Sequence, residues 1–241
     1  MRISDRAVLV TGANRGIGRA FVSEFLARDV AKVYAGVRDP RAVDDELAGD
    51  PRVQLIRLDV TDPARISAAA AEATDVSILV NNAGIVTFES LLSGSMGTAR
   101  QLFDTNLFGP WELTRAFAPA LAAGSGAVVN VLSAIAWFSP PMNGAYAATK
   151  AAAWSLSNGL RMELAASGVQ VQALHFGAVD TDFSAGYTGP KIPPEDVVRA
   201  SLEGLQNDEP EVLVGSGSRA AKAALTGEPN GYLHALRGTL S

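Results

Sequence analysis

The chain has 241 residues, 48% of them hydrophobic, with a formal net charge of −5 and no cysteine. This length and apolar content are sufficient for one core, so we expect a single domain over residues 1–241. An acidic chain with no basic run is not expected to bind nucleic acid, and without cysteine neither disulfides nor thiol chemistry is available. The two histidines, His175 and His234, are far apart in sequence with no ligand-type cluster around them, so no metal site is expected.

The N-terminal region and the hydropathy pattern indicate where the protein resides. The first predicted strand begins a few residues after Met1, which leaves no room for a signal peptide. No apolar stretch approaches the roughly 20 residues that a membrane-spanning helix needs. We therefore expect a cytoplasmic protein with no membrane partner.

Short apolar runs that fit buried strands alternate with amphipathic segments along the chain. The predicted strands are Ala7–Val10, Lys32–Val37, Val53–Asp59, Ser77–Asn81, Ala127–Ser133, Gln170–His175 and Glu211–Val214. The two longest predicted helices span about 98–122 and 146–166. This alternation predicts an α/β fold, a Rossmann-like doubly wound three-layer α/β/α sandwich with a seven-stranded parallel sheet. The tail from about residue 215 is rich in Gly and Ser and then weakly helical.

A glycine-rich turn, Thr-Gly-Ala-Asn-Arg-Gly-Ile-Gly at residues 11–18, follows the first strand and leads into an apolar helical pattern. Strand, turn and helix in this order can set a pyrophosphate on a helix N-terminus. We expect Gly12 to permit the tight turn, Gly16 to let the backbone approach phosphates and Gly18 to let the helix pack close to the sheet. The glycine spacing differs from the usual dinucleotide fingerprint, so glycines that merely serve a strand-to-helix turn remain the alternative.

A tyrosine and a lysine four residues apart, Tyr146 and Lys150, fall in the second long helix, thirteen residues after Ser133. Residues at this spacing share a helix face, so the ammonium is expected to lower the pKa of the phenol towards the range of a general acid or base. Ser133 can hydrogen-bond the same substrate oxygen. Such a pair also arises by chance on solvated helices, and only its combination with the glycine turn argues for chemistry.

The first long helix contains Gly109-Pro110, and proline cannot donate to the carbonyl four residues earlier, that of Asn106. We predict a kink that leaves this carbonyl free to hold a water linked to Lys150, so that protons reach Tyr146 from solvent. The alternative is that Pro110 starts a second helix and that Asn106 is a capping residue.

In its motifs the chain resembles the short-chain dehydrogenase/reductase family in its compact single-domain form. The resemblance covers about residues 5–215 and follows the family's order: the turn at 11–18, Asp59-Val60, Asn81-Asn82-Ala83-Gly84, Asn106, Ser133, Tyr146 with Lys150, and Gly177-Ala178-Val179-Asp180-Thr181. One departure is Phe176, where the family usually has proline, which affects the expected shape of the nicotinamide pocket.

This resemblance implies a catalytic tetrad of Asn106, Ser133, Tyr146 and Lys150, with Lys150 also holding the nicotinamide ribose. Asp59 and Val60 are expected to meet the adenine. The full set of expected cofactor-binding residues is Gly12, Asn14, Arg15, Gly16, Ile17, Gly18, Arg38, Asp59, Val60, Asn82, Ala83, Gly84, Tyr146, Lys150, Val179 and Thr181.

The residues at the end of the second strand indicate which nicotinamide cofactor binds. An NAD enzyme of this type needs an acidic side chain there for the ribose 2′-hydroxyl, whereas this chain has Val37 and Arg38. With Arg15 in the glycine turn, two guanidiniums can converge on a 2′-phosphate, which predicts NADP(H). The alternative is that Arg38 is solvated and Asp39 takes the acidic role.

Apolar and aromatic side chains from the loops at the carboxyl ends of the strands predict a pocket for a hydrophobic ligand. The candidates are Ile85, Val86, Trp137, Phe138, Met142, Phe183 and Tyr187. A Gly- and Pro-containing segment at about 182–195 is expected to be a mobile substrate flap. Because the nearby charges are mostly acidic, an anionic substrate or an acyl-carrier partner is disfavoured.

Together these features predict an NADPH-dependent oxidoreductase that reversibly reduces an uncharged, fairly hydrophobic ketone or aldehyde. The alternatives are a regulatory protein that senses NADP(H) without turnover, or an epimerase or dehydratase of the same family. Extra apolar positions on the two long helices, among them Leu102, Phe103, Phe117, Trp154 and Leu156, predict a homodimer, with a homotetramer as the alternative.

Overall fold

The computed structural model describes residues 1–43 and 45–226 of the chain. Seven strands lie in this part of the chain: β1 (Ala7–Thr11), β2 (Lys32–Val37), β3 (Val53–Arg57), β4 (Val76–Asn81), β5 (Ala127–Val131), β6 (Gln170–Phe176) and β7 (Glu211–Val214). The α-helices of the same residues are α1 (Gly16–Ala27), α2 (Asp45–Ala48), α3 (Pro63–Glu72), α4 (Met96–Phe103), α5 (Gly109–Ala123), α6 (Gly144–Leu164), α7 (Pro194–Gln206) and α8 (Gly215–Ala224).

All seven of these strands pair in parallel in the order β3-β2-β1-β4-β5-β6-β7, which confirms the predicted fold class. From β1 the chain adds strands first on one side, to β3, and then on the other side, from β4 to β7. At the point between β1 and β4 where this order reverses, a crevice opens outside the carboxyl ends of the strands. The predicted strand limits hold to within two residues. The strand β5 ends at Val131 instead of Ser133, because Ser133 begins the 3₁₀ turn Ala134–Trp137.

Both faces of the sheet are covered, which explains why its strands are apolar runs and not alternating patterns. On one face α1, α2 and α7 pack their apolar side chains on the sheet, including Phe21, Phe25, Leu47, Val198 and Leu202. On the other face α3, α5 and α6 do the same with Ile66, Leu113, Phe117, Leu121 and Leu160. The expected three layers are therefore present, and the carboxyl ends of β1, β4, β5 and β6 meet at one edge.

The first long helix is interrupted where its proline predicts a kink. A π-helical turn, Asp104–Phe108, separates α4 from α5, and the Gly109 N–H bonds to the carbonyl five residues earlier. Pro110 lies in the first turn of α5, as the alternative prediction had it. Asn106 does not cap α5, because its side chain bonds elsewhere. The water relay through its carbonyl stays a prediction.

Directly after β7, α8 packs beside the 3₁₀ turn Ala134–Trp137 and places Lys222 on Glu211, with Nζ 2.6 Å from Oε2. The predicted atypical tail is thus helical at its start. Its remainder, residues 227–241 with His234, lies outside the described residues. Among the helices that the structure describes, none has the length and apolarity to cross a bilayer.

Candidate active site

The glycine turn between β1 and α1 has the geometry of a phosphate cradle. Gly12 has φ +66°, a left-handed conformation that glycine adopts without strain. A Cβ on Gly18 would collide with the Gly12 carbonyl oxygen, so only glycine allows α1 to begin this close to the turn. No side chain caps the N-terminus of α1, and its first turn contains no acidic residue. Its N–H groups and positive dipole end are therefore available to a pyrophosphate.

The end of β4 holds this turn in place. The Asn82 side-chain amide donates to the carbonyls of Thr11, at 2.8 Å, and of Gly12, at 3.3 Å. The Thr11 hydroxyl accepts from the N–H groups of Asn82 and Ala83, both at 3.0 Å. The Asn82 side chain, predicted to bind the cofactor, therefore binds the backbone of the glycine turn instead.

The structure brings the four predicted tetrad residues to the carboxyl edge of the sheet, from three separate elements. Ser133 follows β5, Tyr146 and Lys150 lie in the first half of α6, and Asn106 lies in the π-helical turn. All but Ser133 are buried. The Lys150 ammonium donates to the Val131 carbonyl at 2.8 Å and lies 5.6 Å from the centroid of the Tyr146 ring.

Burial dominates the ionisation of this pair. It raises the pKa of Tyr146, so the phenol is protonated at neutral pH. It also lowers the pKa of Lys150 from 10.5 to about 8. The sequence-based prediction of a lowered Tyr146 pKa is therefore wrong in direction. The spacing correctly predicts a shared helix face, but it does not show that the ammonium bonds to a carbonyl or that the phenol is desolvated.

Asn106 ties the π-helical turn to both sides of the site. Its side-chain oxygen accepts from the Ile85 N–H, and its amide donates to the Ile85 carbonyl, each at 2.9 Å. The amide also donates to the Thr149 hydroxyl at 3.2 Å, which in turn donates to the Tyr146 carbonyl at 2.7 Å. This chain of bonds fixes α6 relative to the loop after β4.

The charged side chains that follow β2 are Arg38, Asp39 and Arg41. Arg38 is exposed, and Asp39, the alternative acidic partner, is bound by Arg41 through Nε–Oδ1 at 2.9 Å and Nη2–Oδ2 at 3.1 Å. The Arg41 hydrogen bonds lower the pKa of Asp39. Arg15 forms an exposed ion pair with Asp182 of the flap, at 3.3 Å. Asp39 is thus already partnered by a cation, and Arg15 shares its charge with the flap.

The flap at 182–195 is closed at its base by an isolated parallel bridge between Val179 and Ile192. Hydrogen bonds of 2.9 Å join Asp180 and Ala178 to Ile192 there. The Phe183 ring of the flap lies 6.0 Å from the Tyr146 ring, centroid to centroid. The flap therefore reaches over the candidate proton donor.

The predicted pocket residues divide into three groups by exposure. Met142, Phe183 and Tyr187 are about half exposed, while Ile85, Val86 and Phe138 are partly buried. Trp137 is 8% exposed and packs between Trp154 and His175, so it offers a substrate little surface. No group of three or more His, Asp or Glu side chains in the described ranges is arranged to hold a metal ion.

The family model described as short chain dehydrogenase matches residues 6–190, more than half of the chain. The chain belongs to the short-chain dehydrogenase/reductase family. It is 35% identical to a short chain dehydrogenase from Burkholderia cenocepacia J2315 solved in complex with NADP, with a TM-score of 0.92 and 98% of each chain covered.

Two curated relatives are similar at 31% identity. The 3-alpha-(or 20-beta)-hydroxysteroid dehydrogenase of Mycobacterium bovis matches over 208 residues, 83% of this chain and 77% of that protein. The sorbitol dehydrogenase of Cereibacter sphaeroides matches over 222 residues, 90% of this chain and 84% of that protein. As a member of this family the chain is an oxidoreductase. The names of its two relatives refer to very different alcohols, a hydroxysteroid and sorbitol.

Three residues that bear on this family site were missed in the sequence. Thr149 links Asn106 to Tyr146, Arg41 partners Asp39, and His175 bonds to Ser133. For Thr149 there was a signal, since it lies three residues after Tyr146 on the same helix face. The other two depend on contacts that no local pattern marks.

Lys150 is expected to reduce the stability of the fold that contains it. Because burial lowers its pKa from 10.5 to about 8, the unfolded state binds more protons between these pH values, and the stability of the wild type should rise with pH across that window. Below pH 8 the penalty is complete, about 3 kcal/mol. Lys150→Met removes this penalty and loses one hydrogen bond, so we expect a gain of about 1–2 kcal/mol in the free energy of unfolding at pH 7. Urea unfolding measures it. A variant less stable than the wild type at pH 7 would contradict the assigned burial cost.

Proposed function

We propose that this protein is an NADPH-dependent reductase of uncharged, fairly hydrophobic ketones or aldehydes, reversible as an alcohol dehydrogenase. The observation that carries the proposal is the buried Tyr146 beside the buried Lys150, at the carboxyl edge where the glycine turn also opens. The bound cofactor would supply a hydride to the carbonyl carbon. The chain itself must then deliver a proton to the oxygen.

Tyr146 acts as the general acid. A raised pKa keeps the phenol protonated at neutral pH, which is the form that ketone reduction requires. Alcohol oxidation requires the phenolate, so the oxidation rate should increase with pH while the reduction rate stays level. Ser133 orients the substrate oxygen through its hydroxyl, and Lys150, with three donors of which one is given to Val131, keeps two for the ribose hydroxyls.

The residues present fit a dinucleotide. The uncapped N-terminus of α1 and the left-handed turn at Gly12 suit the pyrophosphate, and Asp59, with its pKa lowered by hydrogen bonds from Thr61, remains an anionic acceptor near the adenine position. Asn14, Ile17, Val60, Gly84, Val179 and Thr181 complete the proposed contacts.

The choice of NADP(H) over NAD(H) follows from charge. An Asp39 carboxylate that is bound bidentately by Arg41 is a poor acceptor for a ribose 2′-hydroxyl, and the Arg38 side chain next to it is exposed. A 2′-phosphate would therefore meet the exposed Arg38 guanidinium, while the Asp39 carboxylate beside it is already held by Arg41. The NADP complex of the Burkholderia cenocepacia relative agrees with this choice.

The substrate class is argued from the loop side chains. Exposed Met142, Phe183 and Tyr187 lie at the flap and the loop before α6, and the acidic groups there, Asp180 and Asp182, are each paired with a cation. An apolar lining favours a hydrophobic carbonyl compound over a sugar, closer to the hydroxysteroid dehydrogenase relative than to the sorbitol dehydrogenase.

Two other functions on this scaffold are less well supported. An NADP(H) sensor has no need for a proton donor, yet this chain keeps Ser133 and Asn106 and sets Lys150 beside the Tyr146 ring. An epimerase or dehydratase would use the same residues, but would leave the cofactor unchanged after each turnover. Net consumption of NADPH separates the reductase from both.

A substrate panel tests the proposed class. Aryl alkyl and cyclic ketones are compared with ketose sugars, with NADPH consumption followed by absorbance. Burying one aromatic ring contributes about 1.5–3 kcal/mol, so kcat/KM should favour the aryl ketones by about 10- to 100-fold. Equal or better turnover of the ketoses would refute the hydrophobic class while leaving the reductase chemistry intact.

We also propose a homodimer formed through α4, α5 and α6. Of the apolar residues predicted to face a partner, Leu102 and Phe117 are instead buried inside the protomer. Phe103, Trp154 and Leu156 are partly buried, and exposed apolar surface on and between these helices is carried by Met96, Phe108, Trp111 and Met162. Light scattering at micromolar concentration should give twice the 25.0 kDa chain mass, and Trp111→Glu should halve it, whereas Leu225→Glu on the far end of α8 should not. A wild type of 25.0 kDa would rule the dimer out.

A further inference from the structure

His175, at the end of β6, is a fully buried side chain that the mechanism above does not use. Its Nδ1 lies 3.0 Å from the Ser133 carbonyl oxygen. A carbonyl can only accept, so Nδ1 carries the hydrogen and the ring is the Nδ1–H tautomer. In this tautomer Nε2 carries a lone pair and can only accept. No donor among the described residues reaches it. Burial lowers the pKa of His175 to about 4, so the ring is neutral at working pH.

Ser133 is held by β6 at two points. Its carbonyl accepts from His175 and, at 3.1 Å, from the Ala136 N–H. Its hydroxyl donates to the carbonyl of Phe176, the residue after His175, at 3.3 Å. The hydroxyl also accepts from the Ile135 N–H at 3.3 Å, and because both bonds are long and weak, its hydrogen can turn to a substrate oxygen. The backbone bond to His175 stays in place when it does.

The imidazole is itself fixed by aromatic stacking. It lies flat on Trp137, with centroids 4.1 Å apart and an interplanar angle of 21°. Trp137 ends the 3₁₀ turn that Ser133 begins, so the stack and the hydrogen bond hold the two ends of one turn. On its other side Trp137 meets Trp154 edge-on, and Lys222 lies 5.0 Å from its ring centroid.

We propose that His175 is a positioning residue for Ser133, which it orients through the neutral Nδ1–H bond to the Ser133 carbonyl. The inference rests on the proposed role of Ser133 in the reductase. A hydroxyl that must meet the substrate oxygen in the transition state loses much of its effect when it is displaced by an ångström. The bond from β6, together with the bond from the Ala136 N–H, holds the Ser133 backbone where its hydroxyl can reach.

Paired substitutions test this role. His175→Asn places an amide donor near the position of Nδ1, whereas His175→Leu has no donor. In His175→Leu we expect kcat for ketone reduction to fall by about 10- to 100-fold with KM for NADPH nearly unchanged, and His175→Asn should recover most of the loss. In a Ser133→Ala background His175→Leu should have almost no further effect on kcat, since residues that act as a unit are not additive.

Several outcomes would overturn the proposal. These are a folded His175→Leu with wild-type kcat, a His175→Asn no better than His175→Leu, or losses that multiply in the Ser133→Ala background as they do for independent sites. If Ser133→Ala alone keeps wild-type kcat, the role of Ser133 in the proposed function fails, and this inference fails with it. A Ser133→Ala loss combined with a fully active His175→Leu overturns the positioning role alone.

The tautomer can be measured in the wild type without any variant. The sequence contains two histidines, so ¹⁵N-labelled imidazole spectra hold two ring systems to assign. One of these two imidazole rings, that of His175, should remain the neutral Nδ1–H tautomer from pH 8 down to pH 5. If neither ring is an Nδ1–H tautomer, or if both become charged on lowering the pH to 6, the proposal is overturned even where the His175 variants do not fold.

Discussion

Tyr146→Phe should lower kcat for ketone reduction by about 10²- to 10⁴-fold, because it removes the group that gives the proton to the substrate oxygen. The stability should change little, since the Tyr146 hydroxyl makes no hydrogen bond to another described residue and the ring keeps its buried contacts. Affinity for NADPH should also remain close to that of the wild type. Single-turnover kinetics and cofactor titration measure the two effects separately.

A matched control for this substitution is Tyr34→Phe. Tyr34 is a buried tyrosine on β2 whose hydroxyl bonds to Asp75 at 2.6 Å, away from the carboxyl edge of β5 and β6. The Tyr34→Phe variant should be somewhat less stable than the wild type and should keep the wild-type kcat for ketone reduction. A Tyr146→Phe variant with more than about a tenth of wild-type kcat, a loss below about 1.4 kcal/mol, would show that another group donates the proton.

Arg38→Asp should reverse the cofactor preference from NADPH to NADH. A charge-assisted contact to the 2′-phosphate contributes about 1.5–3 kcal/mol, so kcat/KM for NADPH should fall by roughly 10- to 100-fold. The new carboxylate repels the phosphate and accepts from the free 2′-hydroxyl, which should raise kcat/KM for NADH. The ratio of the two values is the quantity to measure.

Arg2→Asp makes the same change of charge near the amino edge of the sheet, where Arg2 pairs with Asp5 on the surface. It should leave the cofactor ratio unchanged, which separates a local contact from a general electrostatic effect. Equal wild-type efficiency with NADH and NADPH would contradict the assignment of NADP(H) to this chain.

The sequence predicts the sheet and the glycine turn because both are locally encoded. Short apolar runs favour buried strands, Gly12 adopts a left-handed conformation that favours glycine, and a Cβ at Gly18 would collide with the Gly12 carbonyl oxygen. Pro110 likewise marks the break in the first long helix, since a proline cannot donate to a helical carbonyl. The sequence does not show which backbone conformation forms at this break. The π-helical turn at Asp104–Phe108 is accompanied by hydrogen bonds between the Asn106 side chain and the Ile85 backbone, which are tertiary contacts.

Apart from the local Asp39–Arg41 pair, the main features missed in the sequence depend on contacts between distant residues. Arg15 meets Asp182 across 167 positions of the chain, and the burial of Trp137 depends on His175 and Lys222 from two later elements. The direction of the Tyr146 pKa also required the structure, because spacing shows which charge is near but not how much water is excluded. Local patterns therefore indicate a candidate site, and long-range packing sets the electrostatics there.

Deuteride transfer tests the central claim most directly. NADPH labelled with deuterium at the transferable position of the nicotinamide is incubated with the protein and an aryl ketone, and the product is analysed by mass spectrometry. We expect one deuterium on the carbinol carbon of the alcohol, with the wild type, and almost none with Tyr146→Phe in the same time. NADPH that binds but transfers no label to any ketone of the panel would contradict the reductase and favour a sensor.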